Sequence, residues 1–209
     1  MSLHIMIGLI GLLYIVVFGG LAVLRREGLS TRFAVESIIL TAIAVVLVML
    51  TPIQIHPVLF LLLLYLITLR VRILVDLANT IANRGNYRQA KKIYNLAYHV
   101  WPDQTSELII KVNHAILLLM SNQLDESISM FTEILDQANM GYLGVKYEVA
   151  AHYNLGVAYL RKNENPKATA EFNAVLDTWP SSVYAQRAQQ ALEKQRKAIT
   201  HRQDQSPDQ

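Results

Sequence analysis

Residues 57–84, PVLFLLLLYLITLRVRILVDLANTIANR, change character once, at Arg70 and Arg72. The half before them is almost wholly aliphatic. In the half after them, Leu74, Leu77, Ala78 and Ile81 fall at the spacing of a helix that buries a single stripe. No glycine or proline interrupts the run after Pro57, so it reads as one continuous helix that leaves a bilayer and becomes the first helix of a folded domain. Two solvents are therefore needed, lipid for the N-terminal part of the chain and water for the rest.

The N-terminal part agrees. Residues 5–24 carry no charge, and at 1.5 Å per residue they cover about 30 Å, the thickness of a hydrocarbon core. The cations Arg25 and Arg26 follow this run rather than precede it, which favours a retained anchor over a cleaved leader. Residues 33–50 form a second apolar run with Glu36 near its start, and Ser37, Thr41 and Ala44 give it a face of small residues that a neighbouring helix can approach closely. A packing role for this face, with Glu36 at the interface, is preferred to a proton relay. The third span is short, since residues 58–69 would reach only about 18 Å, and it needs to begin at Ile53 with Arg70 and Arg72 snorkelling. Spans at 5–24, 33–50 and 53–70 are expected. Arg25, Arg26 and Arg32 lie between the first two, and the connection between the second and third has no cation, so the N-terminus is expected outside and everything after residue 70 on the cytoplasmic side.

The remainder repeats. With Val149 as position 1, Leu155 stands at position 7, Gly156 at 8, Tyr159 at 11, Ala168 at 20, Phe172 at 24 and Pro180 at 32, and this segment resembles a tetratricopeptide repeat. The same frame begun at Val71 places Ala78, Ala90, Tyr94, Ala97 and Pro102 correctly. Begun at Leu108 it places Ala115, Leu118, Ser127, Phe131 and Ile134, but His114 replaces the usual leucine and the closing proline is missing. The resemblance covers residues 71–182. With the apolar spans before it, the resemblance implies an all-α fold: a three-helix membrane region (1–70), then an α-solenoid of three helix pairs at 71–104, 108–141 (degenerate) and 142–182, the last with a lengthened first helix. A capping helix at 183–199, begun by Ser181 or Ser182, and a disordered polar tail at 200–209 complete the chain.

Composition narrows the function. The chain has no cysteine, so disulfides, thiolate metal sites and cysteine nucleophiles are all excluded. Its six histidines (4, 56, 99, 114, 152 and 201) show no metal-ligand spacing, although His114 and His152 fall on first helices of successive repeats. No phosphate-binding loop is present. An enzyme is not expected, nor a cofactor or a bound metal. What the resemblance implies instead is a groove that holds a peptide or protein partner. Asn113 and Asn154 occupy the position from which some family members bond a peptide backbone, Asn79 is on the same side, and Tyr153 adds an aromatic surface. The cationic carboxylate clamp of other members is lacking, since Val75, Ile109, Ala150 and Tyr153 hold its positions.

Charge is segregated by repeat. Between residues 70 and 101 six cations (Arg70, Arg72, Arg84, Arg88, Lys91 and Lys92) face one acid, a net of +5, whereas residues 102–141 carry a net of −5. Cations beside a bilayer are attracted by anionic headgroups, so these six are expected to form a membrane-surface patch. The stretch is too short and too near lipid to suggest nucleic acid. The chain therefore reads as a membrane-anchored scaffold or assembly adaptor. An alternative is a permanent accessory subunit of a larger membrane complex, with specificity carried by the spans.

Overall fold

The computed structural model describes residues 2–27, 30–52, 54–138, 141 and 143–204, with the side chains of 199–204 outside that description. Ten α-helices occur among the described residues, packed as antiparallel pairs in chain order. They fall into two compact units, residues 1–110 and 111–209.

The first unit begins with a hairpin of α1 (Leu3–Leu24) and α2 (Thr31–Leu50), each long and apolar enough to cross a membrane. Ser30 caps α2 by accepting a hydrogen bond from the Phe33 amide at 3.1 Å. The small-residue face does the packing: Ser37 and Ala44 are buried, and a Cβ added to Gly11 in α1 would collide with the Thr41 side chain. The hydroxyls on this face bond within their own helix, Ser37 Oγ to the Phe33 carbonyl and Thr41 Oγ1 to the Ser37 carbonyl, both at 2.7 Å. Both hydroxyls are thereby satisfied within the helix. The outer faces are Leu, Ile and Val, and Leu24 and Leu50 at the helix ends are 80% exposed.

Helix α3 (Pro57–Thr68) packs on both, contributing Phe60 and Leu64 to a core with Ile7, Tyr14 and Ala44. It is only 12 residues long. The expected start of the third span, Ile53, lies outside the described residues. The expected continuous helix is not found. At Leu69 the axis turns by 72° into α4 (Arg70–Asn83), so a third crossing exists only if the bent pair counts as one span. Backbone bonding persists through the bend, Leu69 N–H to Tyr65 O at 3.1 Å and Ile73 N–H to Leu69 O at 2.9 Å. The Arg70 guanidinium enters the ladder there and donates to the Ile67 carbonyl at 2.6 Å. Side-chain insertion is a recognised cause of kinking.

Helix α4 pairs with α5 (Tyr87–His99) through Ala78 and Ala90, both wholly buried, with Val75, Tyr94 and Ala97 beside them. Gly85 (φ +82°) ends α4, and Asn86 caps α5 through the Gln89 amide. Helix α6 (Gln104–Met120) follows.

In the second unit, α7 (Leu124–Ala138) joins α6 through buried Ser127, whose Oγ donates to the Ala115 carbonyl at 3.0 Å. Helices α8 (Val145–Arg161), α9 (Asn165–Thr178) and α10 (Val183–Asp204) complete it. Gly156 lets α8 and α9 close together, because a Cβ there would stand 2.7 Å from the Phe172 ring. Phe172, Val149, Ala168 and Val175 form the core, to which α10 adds Ala185 and Ala188. Ser182 caps α10 by accepting from the Ala185 amide at 2.9 Å. This helix continues to Asp204, five residues beyond the expected end at 199. Of the expected disordered tail, 200–204 is helical and 205–209 lies outside the described residues.

Candidate functional site at the foot of the first helical pair

The bend places Arg70 where three stretches of the first unit meet: the start of α2, the junction of α3 with α4, and the segment after α5. An arginine carries five N–H donors, and all five are used here. Nη1 and Nη2 bond the two carboxylate oxygens of Glu36 at 2.6 and 2.9 Å, Nε donates to the Val100 carbonyl at 2.8 Å, and the remaining two reach the carbonyls of Ile67 (2.6 Å) and Trp101 (3.3 Å). Forked pairing of this kind is stronger and more directional than a point contact. Arg32, one turn before Glu36, shares that carboxylate at 3.2 Å and also donates to the Trp101 carbonyl.

Two further contacts widen the cluster. Arg72 pairs with Glu27 at 2.9 Å, and Glu27 is 3% exposed. Ser30 Oγ donates to Asp103 at 2.6 Å, and the other Asp103 oxygen accepts from the Ser106 amide at 2.9 Å. Burial pushes the Asp103 carboxyl up, but the hydrogen bonds from Ser106, Ser30 and Arg32 outweigh it and hold the group below the ordinary carboxylate range. The cluster is a clamp of charge-assisted bonds between the apolar hairpin and the first helical pair.

The expected membrane-surface cations divide accordingly. Arg70 pairs with Glu36, and Arg72, with a partly exposed side chain, pairs with Glu27, whereas Arg84, Arg88, Lys91 and Lys92 are exposed around the turn from α4 to α5 and along α5. None of the expected groove residues is a partner in the clamp. Asn79 accepts from the Tyr94 hydroxyl, whose phenol is pushed up by burial and then by the Asp76 carboxylate and therefore stays a donor. In the second unit Asn154 donates to the Ala150 carbonyl at 2.8 Å, and Asn113 is half-buried on α6. Tyr153 stacks between Phe172 and Tyr184 at 5.8 and 5.6 Å, so much of its ring is engaged in closing α10 onto α8 and α9. His114 is buried, and His152 faces Glu171 at 2.7 Å. Among the described residues no group of three or more His, Asp or Glu side chains is placed to hold a metal.

Neither the family models, nor the curated proteins, nor the solved structures compared with this chain match it.

Proposed function

We propose that this chain is a membrane-anchored adaptor of the tetratricopeptide kind, whose spans hold its first helical pair at a fixed attitude to the cytoplasmic membrane face and whose helical pairs receive a peptide or protein partner. The saturated guanidinium of Arg70 is the observation that carries the reading. A tether needs only a flexible linker, whereas five directed bonds at one junction serve a protein that must present its surface in one orientation. The positive-inside bias of Arg25, Arg26 and Arg32 supports the cytoplasmic placement. Exposed Arg84, Arg88, Lys91 and Lys92 add about 1 kcal/mol each when near anionic headgroups.

Partner contact belongs to the first helices of the pairs, with Asn113 and Asn154 as the residues that bond an extended backbone. Photo-crosslinkers placed beside Asn113 and Asn154 in native membranes test this. A discrete protein adduct is expected. Recovery of lipid adducts alone would remove the groove from the proposal.

A further inference from the structure

We propose that Trp101 is an interfacial membrane anchor, its indole seated at the boundary between headgroups and acyl chains of the bilayer that α1 and α2 cross. The inference rests on the membrane-anchored reading above and adds a second point of attachment to it.

Position is the first argument. The Trp101 carbonyl accepts from both Arg70 and Arg32. Those residues stand at the end of α3 and the start of α2, so Trp101 is level with the ends of the apolar helices. Indole rings concentrate at that depth because an apolar body and a polar N–H suit the two sides of the boundary.

Exposure is the second. Trp101 is 75% exposed, and among the described residues its indole nitrogen has no acceptor. The other tryptophan, Trp179, packs against the core of the second unit and donates to Ser181 Oγ at 2.9 Å.

Backbone conformation is the third. Beyond α4, α6, α7 and α8 a positive φ is taken by Gly85, Asn122, Gly141 and Asn163, the residue types that adopt it most easily. Beyond α5 the same conformation is forced on Trp101 (φ +53°), where a bulky side chain is strained. Among the described residues the one other exception is Arg26 (φ +52°), in the connection from α1 to α2. Both exceptions therefore lie at the same edge of the apolar helices, the edge that meets headgroups.

The bend is the fourth. Helix α4 has 14 residues and lies 72° from the axis of α3, so along that axis its length of about 21 Å advances only about 6 Å. The first pair thus runs along the surface if α3 stands upright, and α5 returns Trp101 to it. Leu96, exposed on α5, and Lys92 one turn before it lie on the approach.

The test uses the full-length Trp179→Phe protein, in which Trp101 is the sole tryptophan, reconstituted in phosphatidylcholine–phosphatidylglycerol vesicles. Lipids brominated at shallow or deep acyl positions serve as quenchers. Shallow bromines are expected to remove about half of the emission, and more than deep ones do. Should Trp179→Phe misfold, the difference between the wild-type and Trp101→Phe signals gives the same quantity. Quenching no greater than that of a soluble indole overturns the inference. So does blue-shifted, unquenched emission, which would place a protein surface over the ring. Alkaline carbonate extraction separates the two readings: a chain retained in the membrane with Trp101 unquenched overturns this inference alone, and a chain released by carbonate overturns both.

Discussion

Gly11 faces Thr41 across α1 and α2 much as Gly156 faces Phe172 across α8 and α9. Both glycines allow two helices to approach closely, yet the surroundings differ. Around Phe172 the outward faces are largely polar, and a ring withdrawn from water supplies the driving force. Around Thr41 the outward faces are Leu, Ile and Val, which gain nothing by leaving lipid when the hairpin crosses a bilayer as proposed. Close contact and internally satisfied hydroxyls have to hold the hairpin. The same geometric device therefore draws on hydrophobic burial in one place and on van der Waals fit in the other.

The largest break in this comparison should come from Phe172→Ala, which empties the water-driven core and is expected to lower stability by about 3–5 kcal/mol. Thermal unfolding of the detergent-solubilised full chain, followed by circular dichroism, measures it. Arg70→Ala probes the junction of the apolar hairpin with the first helical pair and should lower stability by about 2 kcal/mol, since Glu36 keeps only Arg32. Because the pair is hydrogen-bonded in a fork, Arg70→Lys should recover little of that loss. Protease sensitivity between residues 69 and 76 in native membranes should rise in parallel.

Smaller effects sharpen the contrast. Gly156→Ala should cost about 1–3 kcal/mol, because the buried Phe172 ring has nowhere to move. Gly11→Ala should be partly relieved by adding Thr41→Ala, which removes the two nearest colliding atoms and leaves the Thr41 Cβ position at 2.9 Å, and that partial rescue in the same melting assay would separate fit from burial. The smallest effect concerns pH. The folded Asp103 carboxyl titrates below its unfolded counterpart, so its contribution is fully present above about pH 4 and is lost as pH falls through the lower folded value. Ser30→Ala should shrink the acid-induced loss, read as the shift in melting temperature between neutral and acidic buffer.

Local periodicity revealed the apolar helices and the buried face that carries Ala78, and the register of the repeat resemblance marked Ala90, Gly156 and Phe172, all buried, as core positions. The bend at Leu69 was hidden for the complementary reason. Nothing near it breaks a helix, and the turn accompanies contacts from Arg70 to Glu36 and Val100, which are 34 and 30 residues away. The same distance in sequence concealed the partners of Arg70 and Arg72, so an isolated run of cations looked lipid-facing. Trp101 left a faint signal, an aromatic residue directly before Pro102 at the end of an amphipathic stretch. Helix periodicity does not weigh such a residue, since the role proposed for it rests on exposure and on contacts distant in sequence.

On the adaptor reading proposed above, the clamp also bears on how strong a partner contact has to be. A first helical pair fixed to the apolar hairpin by Arg70 has surrendered its rotational freedom before any encounter. A partner held in the same bilayer has likewise given up much of its translation. Association between two such molecules forfeits less entropy than association in solution, where the loss runs from about 4 to 15 kcal/mol. A small interface that would be too weak between soluble proteins then suffices, and its apparent strength falls sharply when either molecule is cut free of the membrane.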